Sequence, residues 1–369
     1  MMTAIEVSED LAQLDAAIEA VPNAPAVFVL WPKEGSPHVA RTALLRRRLL
    51  RLLRERQAPS RLLNLRHTVR RIEYRLTGSS LESSVVVYEE ARRLLPDEYL
   101  EAVRLRMPPY VRIVLANEFP RSHITTHLTR SGGLYFGPFR SAASAERFES
   151  QFLDLFQMRR CHEDLAPSPE HPGCMYGEMG MCLRPCQQVV GPAEYGHEVE
   201  RVADFLRTGG RSMLEAIERS RDRLSEEMQF EEAARQHKRL EKVQEVLKLR
   251  DELVRDVERL NGIAITRSAA PEAVELWLVN EGNWLGPHRL SFEVHEGKPA
   301  PLDRAIREIF AGAEPRKSTV RERQEYLALL ARWYYSSWRD GEWLGFESLQ
   351  DIPYRKLVNA VSRVARRPQ

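Results

Sequence analysis

Leu134-Tyr135-Phe136-Gly137-Pro138-Phe139, followed by Arg159-Arg160-Cys161 and by Cys174-x7-Cys182-x3-Cys186, is the stretch on which the reading of this chain turns. All four cysteines of the 369-residue sequence lie in the short window that runs from Cys161 to Cys186. Four thiolates are the ligand number of a tetrahedral zinc site or an iron–sulfur cluster. Helical spacing would set Cys182 and Cys186 on one face, but Pro185 between them points to a turn that folds back on a metal. The alternatives are four buried thiols or two disulfides. No leader peptide is read at the N-terminus, so a reducing, cytoplasmic compartment is expected, which disfavours disulfides. Scattered core thiols would not cluster so tightly. A metal centre on Cys161, Cys174, Cys182 and Cys186 is therefore expected.

Outward from that window, composition sets the class. The length suits two or three domains, and 43% hydrophobic residues suffice for packed cores. No apolar run approaches the roughly 20 residues of a membrane span; the longest, Ala24 to Trp31, is of strand length. A soluble protein with no membrane partner is expected.

Net charge is only +2, yet it is unevenly placed. Between Arg41 and Arg75 there are twelve arginines, no lysine and only two acids, Glu55 and Glu73. Such asymmetry suggests a polyanion partner. Leu44, Leu45, Leu49, Leu52 and Leu53 form an apolar stripe in the same window, so a helix with leucines inward would point Arg46, Arg47, Arg51 and Arg54 outward. Arginine in preference to lysine favours phosphate, because the guanidinium fork grips two oxygens at once.

Strands are expected at Ala26–Leu30, His38–Arg41, Glu73–Leu76 and Tyr110–Leu115, and helices at Leu81–Leu95 and Ala142–Gln157. Residues 1–20 read as an acidic helical lead-in. Helices at Ala193–Arg207 and Ser212–Leu260 precede strands at Ile263–Thr266, Val274–Val279 and Arg289–Val294. A final helical part has Tyr326–Trp338 as its strongest apolar run. The fold class is α/β in the broad sense, α+β in detail: a small mixed sheet with helices, then the cysteine segment, a helical hairpin and a C-terminal α+β segment.

Three sequence series carry a resemblance: Pro109-Tyr110-Val111-Arg112-Ile113, Glu118-Phe119-Pro120-Arg121, and Tyr135-Phe136-Gly137-Pro138-Phe139-Arg140-Ser141-Ala142. With the arginine–cysteine pair and the x7 and x3 gaps, they resemble the N-terminal half of the UvrC family, the excinuclease subunits of bacterial nucleotide excision repair, and their short Cho relatives. The resemblance covers roughly residues 21 to 250. It implies an iron–sulfur cluster on the four cysteines, with zinc as the alternative, in a structural role. It divides the chain into a lead-in (1–20), a GIY-YIG-like domain (21–108), a cysteine region (109–190), a helical region (191–260) and a C-terminal segment (261–369).

Residues 212–248 resemble the family's UVR motif, a helical hairpin that docks on the helicase subunit UvrB. The matching positions are Leu214, Leu224, Met228, Phe230, Glu231, Ala233, Ala234 and Leu240. Of these, Leu224, Met228, Phe230, Glu231, Ala233 and Ala234 are the expected UvrB contacts. His237-Lys238 stands where the family has Arg-Asp, which exchanges an acid for a base.

The family's front domain is a GIY-YIG nuclease, which hydrolyses a phosphodiester with tyrosines, an arginine and a glutamate that holds a divalent ion. Such chemistry needs a base, a cation on the developing charge and a metal-binding carboxylate. Here the first motif reads Ala26-Val27-Phe28 and the second His38-Val39-Ala40. Arg41 replaces the usual lysine, Arg48 matches the catalytic arginine, and the metal-binding glutamate falls on Val87. His38 as base, with Glu82, Glu89 or Glu90 as ligand for Mg²⁺ or Mn²⁺, is the remaining route to cleavage. Loss of cleavage with DNA contacts kept at Arg41, Arg46, Arg47, Arg51 and Arg54 is the preferred expectation. Val274–Val294 faintly resembles the opening strands of the family's second nuclease domain, without its two aspartates and histidine. Trp333, Tyr334, Tyr335 and Trp338 read as a core stripe, with base stacking as the other use.

Overall fold

Ala26 to Leu30 is buried on both faces, which requires neighbours on either side of it within a sheet. The computed structural model, which describes residues 2–8, 11–53, 65–130, 133–292, 294–295, 298–299, 302–312 and 318–366, supplies them. Strand β2 (Ala26–Pro32) lies between β3 (His38–Thr42) and β4 (Val69–Leu76), and β1 (Thr3–Glu6) completes the order β1-β4-β2-β3. Every pairing is antiparallel. Helices α1 (Leu11–Glu19) and α2 (Leu45–Leu53) cover one face, closing a core of Leu14, Ile18, Phe28, Leu45, Leu49 and Ile72. The lead-in expected to be helical thus begins as a strand, because Thr3 to Glu6 complete the open edge of β4.

Helix α3 (Ser80–Leu94) starts where the Ser79 hydroxyl accepts from the Glu82 amide, and it ends two residues before Pro96. A short α4 (Tyr99–Val103) follows. The second sheet holds β5 (Tyr110–Val114), β6 (Ser122–Thr125), β7 (Gly133–Gly137) and β8 (Arg255–Asp256) in the order β6-β5-β7-β8. Its helices are α5 (Ala142–Leu153), opened by a Ser141–Ser144 capping box, the short α6 (Met175–Glu178) and α7 (Pro192–Arg207). The hairpin follows as α8 (Arg211–Glu226) and α9 (Phe230–Leu247). Phe136 stacks on Phe148 at 5.2 Å, and this pair anchors a core that continues through Phe152, Phe205 and Val243. Gly137 is required by space: a Cβ there would meet the Tyr110 ring at 2.6 Å.

The third sheet, β11-β10-β9-β14, is built from β9 (Asn261–Arg267), β10 (Ala273–Asn280), β11 (Asn283–Ser291) and β14 (Gly341–Phe346), all antiparallel. A two-residue hairpin, β12 (Val294–His295) and β13 (Lys298–Pro299), separates β11 from α10 (Leu302–Ala311). Helices α10 and α12 (Tyr354–Arg366) cover one face. Helix α11 (Val320–Tyr334) covers the other and packs directly on α3. At that junction the buried Glu325 accepts hydrogen bonds from the Tyr88 and Tyr99 hydroxyls at 2.6 and 2.7 Å and from Arg321 at 3.0 Å. Arg92 pairs with Glu322 at 2.9 Å. Nearby, Gly78 lies so close to the Ser268 main chain that a Cβ would sit 2.1 Å from its carbonyl carbon.

Several sequence expectations shift. The helix expected over Ser212–Leu260 breaks at Glu227–Gln229 and stops at Leu247, because residues 255–256 pair with β7. The strand expected at Arg289–Val294 begins at Asn283, and the helix expected over Ala142–Gln157 ends at Leu153. Strand β14 and helix α12 were not foreseen. No helix among the described residues is long and apolar enough to cross a membrane.

Candidate functional site

The residues matched to the nuclease motif lie on β2, β3, α2 and α3. His38 is exposed on β3, the edge strand. Arg41 is exposed three pairs further along, and its guanidinium donates to the Ser84 hydroxyl at 3.0 Å. Arg48 is half-buried on α2, and Val87 is half-buried on α3.

The carboxylates expected from sequence as alternative metal ligands, Glu82, Glu89 and Glu90, are committed elsewhere. Glu82 is buried, accepts from the Gly78 amide at 2.8 Å and pairs with Arg75 at 3.4 Å. Burial holds its carboxyl above the usual range, and Glu275 adds to the rise. Glu89 accepts from the Tyr326 hydroxyl at 3.2 Å, and Glu90 holds Arg93 at 2.6 Å. A backbone amide, a tyrosine and an arginine thus occupy all three.

The outward arginines of α2 need one correction. Leu45, Leu49, Leu52 and Leu53 are buried as the stripe requires, but Leu44 is exposed. Arg46 turns inward, and its Nε donates to the Val21 carbonyl at 2.8 Å, fastening α2 to the loop before β2. Arg47 and Arg51 are exposed, and Arg54 lies outside the described residues. A cavity of about 490 Å³ opens beside this face, lined by Arg41, Ser80, Ser84, Arg332, Trp338 and Asp340. Asp340 accepts from the Ser80 hydroxyl at 2.7 Å and from the Trp333 indole at 2.9 Å. Sequence reading missed Asp340 because nothing local marks a contact across 260 positions.

The cysteine loop is held by its neighbours. Arg159 is buried, donates to the Phe119 and Glu163 carbonyls at 2.9 Å, and reaches the Cys161 sulfur at 3.4 Å. Tyr195 accepts from the Arg159 amide and donates to the Pro120 carbonyl at 2.8 Å. The Glu118-Phe119-Pro120-Arg121 series is thereby tied to the arginine–cysteine pair. Cys174 precedes α6, and Cys186 sits in a one-turn 3₁₀ helix begun by Pro185, the turn expected there. All four cysteines are free, Cys182 and Cys186 buried.

Burial first, then the charges of Cys161, Cys174 and Cys186, push the Cys182 thiol up to about 11, and the Arg184 amide donates to its sulfur at 3.4 Å. In number and chemistry this donor set fits a four-thiolate centre. As the side chains stand, no three or more His, Cys, Asp and Glu among the described residues are gathered closely enough to hold a metal ion.

The hairpin buries its base and presents its tip. Ile217, Leu240, Val243 and Val246 belong to the second sheet's core, and Leu214 packs against it. At the other end Met228 takes a left-handed φ of 59° between the helices. Met228 and Phe230 are 77% and 65% exposed. Leu224 and Ala233 are half-buried, whereas Glu231 and Ala234 are exposed. His237 and Lys238 face solvent, and His237 lies 3.6 Å from Glu241.

Of the aromatic stripe, Trp333 is buried, Tyr334 and Tyr335 are half-buried, and Trp338 is 85% exposed. The stripe is core except at its last member.

Comparison with known proteins follows the same lines. Residues 109–205 match the UvrC/Cho excinuclease, middle domain. The chain is similar to the UvrABC system protein C of Moorella thermoacetica, with 25% identity over 87% of this chain and 53% of the relative. The corresponding protein of Lachnospira eligens is 24% identical over 77% of this chain and 47% of the relative. That of Methanothermobacter thermautotrophicus is 24% identical over 73% and 45%. No solved structure matches the chain. The chain spans about half the length of these curated relatives. It is UvrC-like, and residues 109–205 are similar to the UvrC/Cho excinuclease middle domain.

Proposed function

We propose that this chain is a nucleotide excision repair protein that binds DNA and a UvrB-like helicase subunit, with the incision activity of its front domain lost or weakened. The observation that carries the loss is the metal position. Val87 stands there, and Glu82, Glu89 and Glu90 are engaged by Gly78 and Arg75, by Tyr326 and by Arg93. A catalytic metal needs its ligands placed to fractions of an ångström, and recruiting any of these carboxylates would break a contact it already makes.

Exposed Arg41, Arg47 and Arg51, beside the half-buried Arg48, support phosphate binding without cleavage. The exposed hairpin tip supports docking on a helicase subunit. The four cysteines support an iron–sulfur cluster, or zinc, in a structural role. Such a centre would tie the loop from 161 to 186 together. Cytoplasmic action agrees with the free thiols.

The test is nicking of a lesion-containing duplex with the UvrB-like partner present and Mg²⁺ or Mn²⁺ added, comparing the native chain with Arg48→Ala. Binding without cleavage is the expected result. Cleavage abolished by Arg48→Ala would overturn it in favour of an active Cho-like single-incision nuclease with His38 in a rearranged site. Absence of any salt-sensitive DNA binding would leave an interaction protein that uses only the hairpin.

A further inference from the structure

A second cavity, of about 560 Å³, lies next to the one described above, and Arg332 lines both. Its rim carries Arg104, Arg106 and Arg140, and its floor is apolar, with Pro108, Pro109 and Phe139. No acid lines it. Arg104, Arg106 and Arg140 are exposed, and none of them forms an ion pair with a described residue. Among the described residues Arg332 has only a carbonyl partner, Val103 at 3.3 Å. Burial and the neighbouring charges of Arg41 and Arg106 lower its pKa. The acid of the first cavity, Asp340, is turned to Ser80 and Trp333. At the outer end of this path stands Trp338, the most exposed large apolar side chain among the described residues.

Self-repulsion of this kind is a cost that a bound polyanion removes. A groove lined by several cations and an open indole is the kind of surface that grips a single strand by its backbone and stacks an unpaired base. We propose that the groove formed by Arg104, Arg106, Arg140, Arg332 and Arg41, ending at Trp338, binds single-stranded nucleic acid. It is a surface distinct from the arginines of α2, assembled from the end of β3, the segment after α4, the β7–α5 turn and α11 with its following loop. This assignment rests on the reading of the chain as a DNA-binding repair protein and says where an unpaired strand would lie.

The experiment measures fluorescence anisotropy of labelled oligothymidine, and of a labelled duplex, with the full chain over a range of salt. Four variants are compared: the triple Arg104→Ala, Arg106→Ala and Arg140→Ala; its all-lysine counterpart; Trp338→Ala; and Arg47→Ala with Arg51→Ala. The triple alanine variant is expected to bind oligothymidine about ten-fold more weakly or worse. Its salt slope should fall by about 2, since each strand phosphate contact contributes roughly 0.7. The lysine variant should keep the slope, and Trp338→Ala should weaken the strand roughly ten-fold while leaving the duplex near native. All these side chains are exposed, so unchanged thermal melting is expected. Native affinity and slope in the triple and Trp338 variants would overturn the groove. Loss of binding in the α2 variant alone would also overturn the groove while leaving the repair reading intact. A native chain that binds neither probe would overturn both.

Discussion

Asp340 caps the helix begun by Ser80. It accepts from both the main-chain amide and the hydroxyl of that residue, although 260 positions separate the two in sequence. A carboxylate at a helix N-terminus satisfies an orphan N–H and complements the helix dipole. The same carboxylate holds the Trp333 indole, so one side chain secures α3 to the end of α11.

Replacing Asp340 with Ala should therefore destabilise the protein by about 1–2 kcal/mol, the usual cost of a lost cap and an abandoned donor. Urea unfolding should show a lower midpoint with the slope unchanged. A midpoint equal to that of the native chain would show that the contact contributes nothing.

The buried Glu82 should make stability fall as pH rises through the acid range. Burial raises its carboxyl above the ordinary 4.5, aided by Glu275 and opposed by the Gly78 amide, Arg75 and Arg289. The native state thus binds this proton more tightly than the unfolded chain does. Its contribution is fully present below 4.5 and is lost as pH rises through the native value. Glu82→Gln keeps an acceptor for the Gly78 amide and carries no charge to desolvate. Relative to the native chain it should gain stability from acid towards neutral pH, read from urea midpoints. A difference that does not vary with pH would exclude this account.

At the hairpin tip, Met228→Asp with Phe230→Asp should leave folding intact, because both side chains are mostly in solvent. Affinity for a UvrB-like subunit, followed by calorimetry, should drop by about ten-fold or more if these are the buried anchors of the contact. Unchanged affinity would move the docking surface elsewhere. Ile217→Asp is the contrasting case: its side chain is buried in the second core, so stability is what it should lose.

For the cysteine loop, protein prepared without oxygen should carry iron, or zinc, in a fixed ratio to chain. Cys182→Ala or Cys186→Ala should abolish it, as measured by elemental analysis. Removing the metal by chelation should loosen residues 161–186, seen as faster proteolysis there, because the cross-link between the four thiols would be lost. Equal metal content in the native and cysteine-to-alanine chains would refute the centre.

Much of the fold was legible because local rules agree with it. The buried run Ala26–Leu30, the serine before α3 and the proline after it, and the breaking of the helical hairpin ahead of Phe230 all leave marks within a few residues. The cysteine spacing was equally plain. What stayed hidden depends on distant partners. Thr3–Glu6 is a strand only because β4 offers it an edge, and Arg255–Asp256 only because β7 does. Arg46 carries the same charge as Arg47, yet the Val21 carbonyl draws it inward. Trp338 belongs by spacing to the buried stripe of α11, but it lies beyond the helix end at Tyr334 and so escapes the core. The groove arginines come from four separate segments, and no stretch of sequence groups them.

The way α3 is shared has a practical bearing on how this protein can be taken apart. Leu81, Val85, Tyr88 and Ala91 belong to one core with Leu260, Trp277 and Leu330, and Gly78 lies against the Ser268 backbone. A fragment ending near residue 108 would carry the first sheet but shed the surface on which its longest helix rests. That helix would then present a raw apolar stripe and a glycine notch fitted to nothing. Dissection of this chain into a free-standing front piece should therefore give aggregated material, and a soluble fragment is better sought by trimming the hairpin than by cutting behind it.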